Sequence, residues 1–185
     1  MNIAIITARG GSKRIPHKNI KKFCDRPIIE YSIQAAKEAD IFDTIMVSTD
    51  DEEIARIAKS AGAEVPFMRS EDTSNDYATT ADVLKEVLKR YSELGMTYEN
   101  VCCIYPTAPF VTGKKLQTAL DILMKEKRDS VMPVTSFSFP PLRGMVIKDG
   151  TLNYKWEQYA MMRSQDLEEI YLSLIHISEP TRPIS

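Results

Sequence analysis

Ile3-Ala4-Ile5-Ile6-Thr7, running on through Ala8-Arg9-Gly10-Gly11-Ser12-Lys13-Arg14-Ile15-Pro16-His17-Lys18-Asn19, is the stretch on which the fold turns. Its opening residues are apolar, rich in β-branched side chains and free of polar alternation. That is the pattern of a strand buried on both faces, as in a parallel sheet. Two adjacent glycines follow at once, and a glycine pair lets the backbone turn sharply and approach a ligand with no Cβ in the way. Arg9, Lys13, Arg14 and Lys18 surround the pair. Backbone N–H groups together with Arg and Lys make a cradle for phosphate. A solvated basic loop would carry the same charges, but the position directly after the first strand favours a nucleotide site. The spacing is not that of a Walker A loop, which needs Gly, four residues and then Gly-Lys-Ser/Thr. It is not the dinucleotide fingerprint either, because the third glycine is missing.

Downstream, residues 27–39 are predicted to be helical, with Pro27 in the first turn and Ile29, Ile33 and Ala36 at helical spacing. Thr44-Ile45-Met46-Val47-Ser48-Thr49 reads as a second strand. Asp50 and Asp51 then open a helix with Ile54, Ile57, Ala58 and Ala61 on one face. Carboxylates at that place cap a helix N-terminus, a reading preferred to metal binding. Gly62 ends this helix, and Ala63-Glu64-Val65-Pro66-Phe67 is a short third strand. Residues 69–80 are dense in Asp, Ser, Thr and Asn, which suits either a mobile surface loop or a carrier of binding groups. Val83, Leu84, Val87, Leu88 and Tyr91 mark an amphipathic helix ending at Gly95.

Val101-Cys102-Cys103-Ile104-Tyr105 is a fourth buried strand, stopped by Pro106-Thr107-Ala108-Pro109. A stiff turn there lies at a strand's carboxyl end, where open α/β sheets bind ligands. A helix follows over 114–125, then a fifth strand over 130–135 that Pro133 bends or sends to an edge. Asp149-Gly150 centres a small hairpin. Strand and helix alternate, which predicts a mainly parallel sheet with helices on both faces.

The length of 185 residues suits one domain with a real core. A net charge of −2 gives no broad attraction to nucleic acid or an anionic membrane, so the basic opening loop is a local feature. No apolar run approaches the roughly 20 residues that span a bilayer, and no signal-peptide pattern precedes the first strand. Cys24, Cys102 and Cys103 lack disulfide or zinc spacing and read as small buried hydrophobes in a reducing cytoplasm. The stretch Leu172-Ser173-Leu174-Ile175-His176-Ile177-Ser178-Glu179-Pro180-Thr181-Arg182-Pro183 fits nothing before it. It resembles the translation of a sequencing adapter, so the functional domain is expected to be 1–171, clipped at its C-terminus, and 172–185 an artefactual tail without function.

The opening loop, Val47-Ser48-Thr49-Asp50-Asp51, Tyr105-Pro106-Thr107-Ala108-Pro109 and Arg163-Ser164-Gln165-Asp166, in that order, resemble the CMP-sialic acid synthetase family of cytidylyltransferases. These enzymes activate acidic nine-carbon sugars. Ser12-Lys13-Arg14-Ile15, Ala63-Glu64-Val65-Pro66-Phe67, Cys102-Cys103-Ile104-Tyr105 and Arg163-Ser164-Gln165-Asp166-Leu167-Glu168 are most similar to the branch that takes pseudaminic acid. The resemblance implies a Rossmann-like three-layer α/β/α sandwich of the nucleotide-diphospho-sugar transferase type. It implies transfer of CMP from CTP to a nonulosonic acid in a cytoplasmic homodimer, feeding surface glycan or flagellin glycosylation. Ala8, Arg9, Gly10, Gly11, Ser12 and Lys13 would hold the triphosphate, with Asn19 touching nucleotide and Arg69 and Thr80 lining the cytidine site. Arg9, Lys13 and Arg163 would be catalytic; Tyr105, Arg143 and Gln165 would meet the sugar. Tyr105 stands where sialic acid enzymes commonly carry Gln. Magnesium is implied by the triphosphate, with its ligands expected beyond Tyr171 and none named within the chain.

Overall fold

The computed structural model describes residues 1–12, 15–173 and 177–178. Two compact units emerge, one built on Met1–Met132 and the other being Pro133–Leu174.

In the first unit β1 (Asn2–Thr7) is followed by a hairpin of β2 (Lys22–Phe23) and β3 (Arg26–Pro27). Then come α1 (Ile28–Ala39), β4 (Thr44–Ser48), α2 (Glu52–Ser60), the single turn α3 (Glu71–Ser74) and α4 (Thr80–Glu93). β5 (Asn100–Ile104), α5 (Gly113–Lys125) and the short β6 (Ser130–Val131) complete it. β1 lies between β4 and β5 and runs parallel to both.

Side chains alternate across a strand, and β1 uses both faces. Ala4 and Ile6 pack into a cluster with Ile29 and Ile33 of α1, Ile54 of α2 and Leu116 of α5. Ile3 and Ile5 join Met46, Val87 and Tyr91, the last two from α4. Ile3, Ile5 and Ile6 are completely buried, each worth about 1.5–3 kcal/mol over an exposed position. The expected three layers follow: α1, α2 and α5 on one side of the sheet and α4 on the other. α5 begins hard against the end of α1, because a Cβ on Gly113 would lie 2.7 Å from the Ala39 backbone nitrogen.

Three expectations are corrected. The third strand, over 63–67, shrinks to an isolated bridge between Met46 and Glu64; Pro66 has no N–H with which to extend a ladder. The fifth strand breaks at Met132-Pro133 for the same reason, leaving β6 and β7 (Val134–Ser136) in separate sheets. Cys24 is exposed, not buried. It and Asp25 form the β2–β3 turn with φ of 46° and 68°, the double positive φ of a tight hairpin.

In the second unit β7 leads to β8 (Met145–Lys148) and β9 (Thr151–Tyr154), the expected hairpin, turned by Asp149 and Gly150 at φ 50° and 73°. β10 (Tyr171–Ser173) pairs antiparallel with β7. Back in the first unit, β11 (Ile177–Ser178) lies antiparallel between β5 and β6. The large sheet therefore has the order β4-β1-β5-β11-β6. Most of the tail expected to be foreign lies outside the described residues.

Candidate functional site

The three parallel strands end together, Thr7 beside Ser48 and Ile6 beside Ile104. The segments leaving those ends border a cleft of about 650 Å³, lined among others by Thr7, Arg9, Ser12, Asn19, Arg69, Thr80 and Tyr105. This is the carboxyl edge of the sheet, where α/β folds bind ligands. A more open groove of about 590 Å³ adjoins it through Arg9, Ser12, Asn75 and Asp76 and is lined also by Gly10, Gly11 and His17.

The opening loop is tied to its neighbours. The Ala8 N–H donates to the Ser48 carbonyl at 2.9 Å. Asn19 is buried, and its Nδ2 donates to the Arg9 carbonyl at 2.8 Å. That bond fixes the amide, and the buried Oδ1 has no partner among the described residues. The Gly10 N–H donates to Asp50 Oδ1 at 2.8 Å. A Cβ at Gly10 would fall 2.7 Å from Asp51 Oδ2, whereas one at Gly11 would meet nothing within 4 Å. Neither glycine has a positive φ. Gly10 thus makes room for Asp51, space is left open beside Gly11, and both line the adjoining groove. Asp51 caps α2 as expected, accepting from the Ile54 N–H at 2.9 Å. Asp50 instead holds the loop. Lys13 lies outside the described residues.

Arg69 is buried at the cleft floor. Its Nε donates to Ser48 Oγ at 3.0 Å and its Nη2 to the Ser48 carbonyl at 2.5 Å. Burial lowers its pKa, while Asp50 and Glu86 pull it up and Arg9 lowers it further; a guanidinium remains charged through such shifts. Thr79 and Asp82 form a capping box at the start of α4, which sets Thr80 in the first turn. Its Oγ1 stands 3.4 Å from the Tyr105 hydroxyl. Ser32 Oγ donates to the Tyr105 carbonyl at 2.8 Å and steadies that residue from α1.

Sequence reasoning missed Glu86. From α4 its carboxylate accepts the Ser70 N–H at 3.0 Å, the Ser70 hydroxyl at 3.0 Å and the Thr73 hydroxyl. Arg90 stands 3.9 Å away. Burial pushes the Glu86 pKa up, but the Thr73 and Ser70 donors and Arg90 outweigh it and hold the group below the usual carboxylate range. Glu86 thereby anchors the segment between Arg69 and Thr79. That segment reaches the opening loop, where Arg9 Nη1 donates to the Asn75 carbonyl at 3.1 Å and to Asp76 Oδ1 at 2.9 Å. Only the polar density of this segment signalled any of this. Residues 16 positions apart gave no local pattern to read.

The lining of the cleft comes from the first unit. Arg143, Arg163 and Gln165 belong to the second. There Arg143 Nη1 donates to Ser164 Oγ at 3.2 Å, Arg163 makes a two-pronged pair with Asp166 at 2.7 and 3.1 Å, and Gln165 is exposed. Among the described residues no three His, Cys, Asp or Glu side chains come together to hold a metal ion. Burial pushes the Cys103 thiol up to about 11 and the Cys102 thiol up as well, so neither is a nucleophile. What remains is a cleft with two guanidinium groups and several hydroxyls. It can hold a hydroxyl-bearing polyanion and offset negative charge developing on it.

The chain matches the family model described as Cytidylyltransferase over residues 3–173. It is 37% identical over 171 residues to the pseudaminic acid cytidylyltransferase of Campylobacter jejuni, covering 92% of this chain and 74% of that protein. It is 39% identical over 131 residues to N-acylneuraminate cytidylyltransferase A of Danio rerio, covering 71% of this chain and 29% of that protein. Among solved structures, CMP:2-keto-3-deoxy-manno-octonic acid synthetase complexed with CTP matches at a TM-score of 0.70 and 16% identity. That match covers 96% of this chain and 73% of the other. At that identity the likeness shows the fold, Rossmann-like and built on a parallel sheet.

Proposed function

The chain belongs to the cytidylyltransferase family, and on that premise we propose that it transfers CMP from CTP to the anomeric hydroxyl of pseudaminic acid. The hydroxyl oxygen bonds to the α-phosphorus, the bond from that phosphorus to the bridging oxygen breaks, and pyrophosphate leaves. The observation that carries the reading is the cleft at the ends of three parallel strands, with Arg9 and Arg69 both on its wall. Nucleotidyl transfer rests on positioning and charge stabilisation, so cations around a triphosphate are the equipment it needs.

In this reading Arg9 and Ser12 take the triphosphate with Lys13, and Gly11 gives the phosphates their close approach. Asn19 touches the nucleotide, Arg69 and Thr80 bound the cytidine, and Tyr105 faces the sugar. For Arg143, Arg163 and Gln165 the support is the family resemblance alone: a planar guanidinium suits the sugar carboxylate. Among the described residues no three His, Cys, Asp or Glu side chains come together around a metal position. Magnesium would accompany the triphosphate, with its protein ligands beyond Tyr171. Cytoplasmic location and a homodimer complete the proposal; no described helix is long and apolar enough to cross a membrane.

A second reading is synthesis of CMP-N-acetylneuraminate, favoured by the 39% identity to the Danio rerio protein, or of CMP-legionaminate, favoured by 34% identity to a CMP-N,N'-diacetyllegionaminic acid synthase of Legionella pneumophila. Pyrophosphate release from CTP and magnesium, measured with pseudaminic, N-acetylneuraminic and legionaminic acids, separates the two. The first reading expects the largest kcat/KM with pseudaminic acid. A larger value with either other sugar selects the second, and no release with any of the three sinks both.

A further inference from the structure

The Arg9 guanidinium, which faces both grooves, already has an anionic partner. Asp76 Oδ1 sits 2.9 Å from Nη1, and the Asn75 carbonyl accepts from the same nitrogen at 3.1 Å. These partners are not incidental to a floppy loop. Asn75 folds its segment into a tight turn, its Oδ1 accepting from the Tyr77 and Ala78 N–H groups at 2.8 and 2.9 Å, its Nδ2 donating to the Asp72 carbonyl at 2.7 Å. The segment is pinned behind by Glu86 through Ser70 and Thr73, and in front by the Thr79–Asp82 capping box. A carboxylate is thus delivered by a braced strap to the one described arginine shared by the cleft and its adjoining groove.

We infer that Asp76 is an internal competitor for the nucleotide's phosphates at Arg9, one that lowers the affinity for a triphosphate and leaves a ligand without phosphates untouched. The inference rests on the reading of the cleft as a CTP site. A carboxylate and a phosphate oxygen make the same charge-assisted bonds to guanidinium, so both cannot hold one Nη1 at once. A triphosphate replaces the single charge of Asp76 with several and wins the exchange. Cytidine reaches the base end of the cleft, offers Arg9 nothing and leaves the strap closed. Asp76 therefore weakens triphosphate binding by the strength of its own pair while leaving nucleoside binding alone. Glu86 is the positioning residue behind it.

The pair is part-exposed, 37% for Arg9 and 40% for Asp76, so its loss translates into a modest gain of about two- to fivefold. The test is calorimetric titration of CTP and of cytidine into the wild-type chain and into Asp76→Asn and Asp76→Ala, without magnesium. CTP is expected to bind both variants about two- to fivefold more tightly than wild type, with cytidine unchanged. A CTP affinity that stays the same or falls in both variants overturns the inference, as does an equal gain for cytidine. If wild type itself binds no CTP, the reading of the cleft fails along with it. Two variants guard against one that misfolds, and the exposure of Asp76 makes that outcome foreign to its role.

Discussion

Gly10 and Gly11 are adjacent and identical, yet the structure gives them opposite work. The space beside Gly10 belongs to Asp51: a Cβ there would stand 2.7 Å from Oδ2 and 2.8 Å from the Asp51 Cβ, which cannot swing away as a side-chain tip would. Gly10→Ala is therefore expected to cost about 1–3 kcal/mol of stability through overpacking, and to weaken CTP binding by shifting the loop that carries Arg9. Gly11→Ala meets nothing within 4 Å; it should change stability by less than about 0.5 kcal/mol while still obstructing the nucleotide. Melting curves and CTP titrations of the two variants side by side check this, and equal melting losses would refute it. The glycine pair was legible as a loop feature from the sequence. Its division of labour was not, because Asp51 lies 41 residues on and comes alongside only when β4 pairs with β1. Arg69 shows the same limit. The family resemblance marked it for the cytidine site, but nothing local placed its guanidinium on the Ser48 carbonyl.

The elements themselves were easier to read. β1, β4 and β5 are short apolar runs that a parallel sheet buries on both faces, and α1, α2, α4 and α5 carry apolar stripes bounded by caps. The failures cluster at proline. Pro66 and Pro133 sit inside runs whose hydrophobicity is strand-like, and hydropathy does not register a missing N–H. Packing between elements is equally silent in the sequence. The start of α5 touches the end of α1 at Gly113, where an added Cβ would lie 2.7 Å from the Ala39 nitrogen and 2.8 Å from the Glu38 carbonyl carbon. Alanine is the better helix former by up to about 1 kcal/mol. Here the clash is with backbone, which does not yield, so Gly113→Ala should destabilise by about 1–3 kcal/mol. A thermal melt checks the sign; a rise in Tm would mean that propensity outweighs packing at this crossing.

At the scale of the whole molecule, α4 carries two carboxylates whose pKa values the fold lowers. Glu86 is held below the usual carboxylate range although burial pushes it up, and Asp82 is lowered by its bonds with Thr79. A carboxylate with a depressed folded-state pKa stabilises the fold above its unfolded value, about 4.3 for Glu, and that stabilisation fades as pH falls through the folded value. Stability should therefore decline below about pH 4.5, with a shallower decline in Glu86→Gln. Denaturant melts from pH 3 to 7 read the slopes, and parallel slopes would remove Glu86 from the account. The general siting of the cleft could be read from strand order alone, because parallel sheets bind at their carboxyl edge. The strap across it could not, since its anchors come from a helix that folds back onto it.

The β2–β3 turn has a practical consequence. Of the three cysteine thiols, two are sealed in β5, where burial opposes their ionisation, and the third, Cys24, stands exposed at the tip of a two-residue turn. A thiol-directed dye or spin label offered to the native protein has one cysteine within reach. The chain thus carries its own attachment point for spectroscopy, with no cysteine to remove first and none to add.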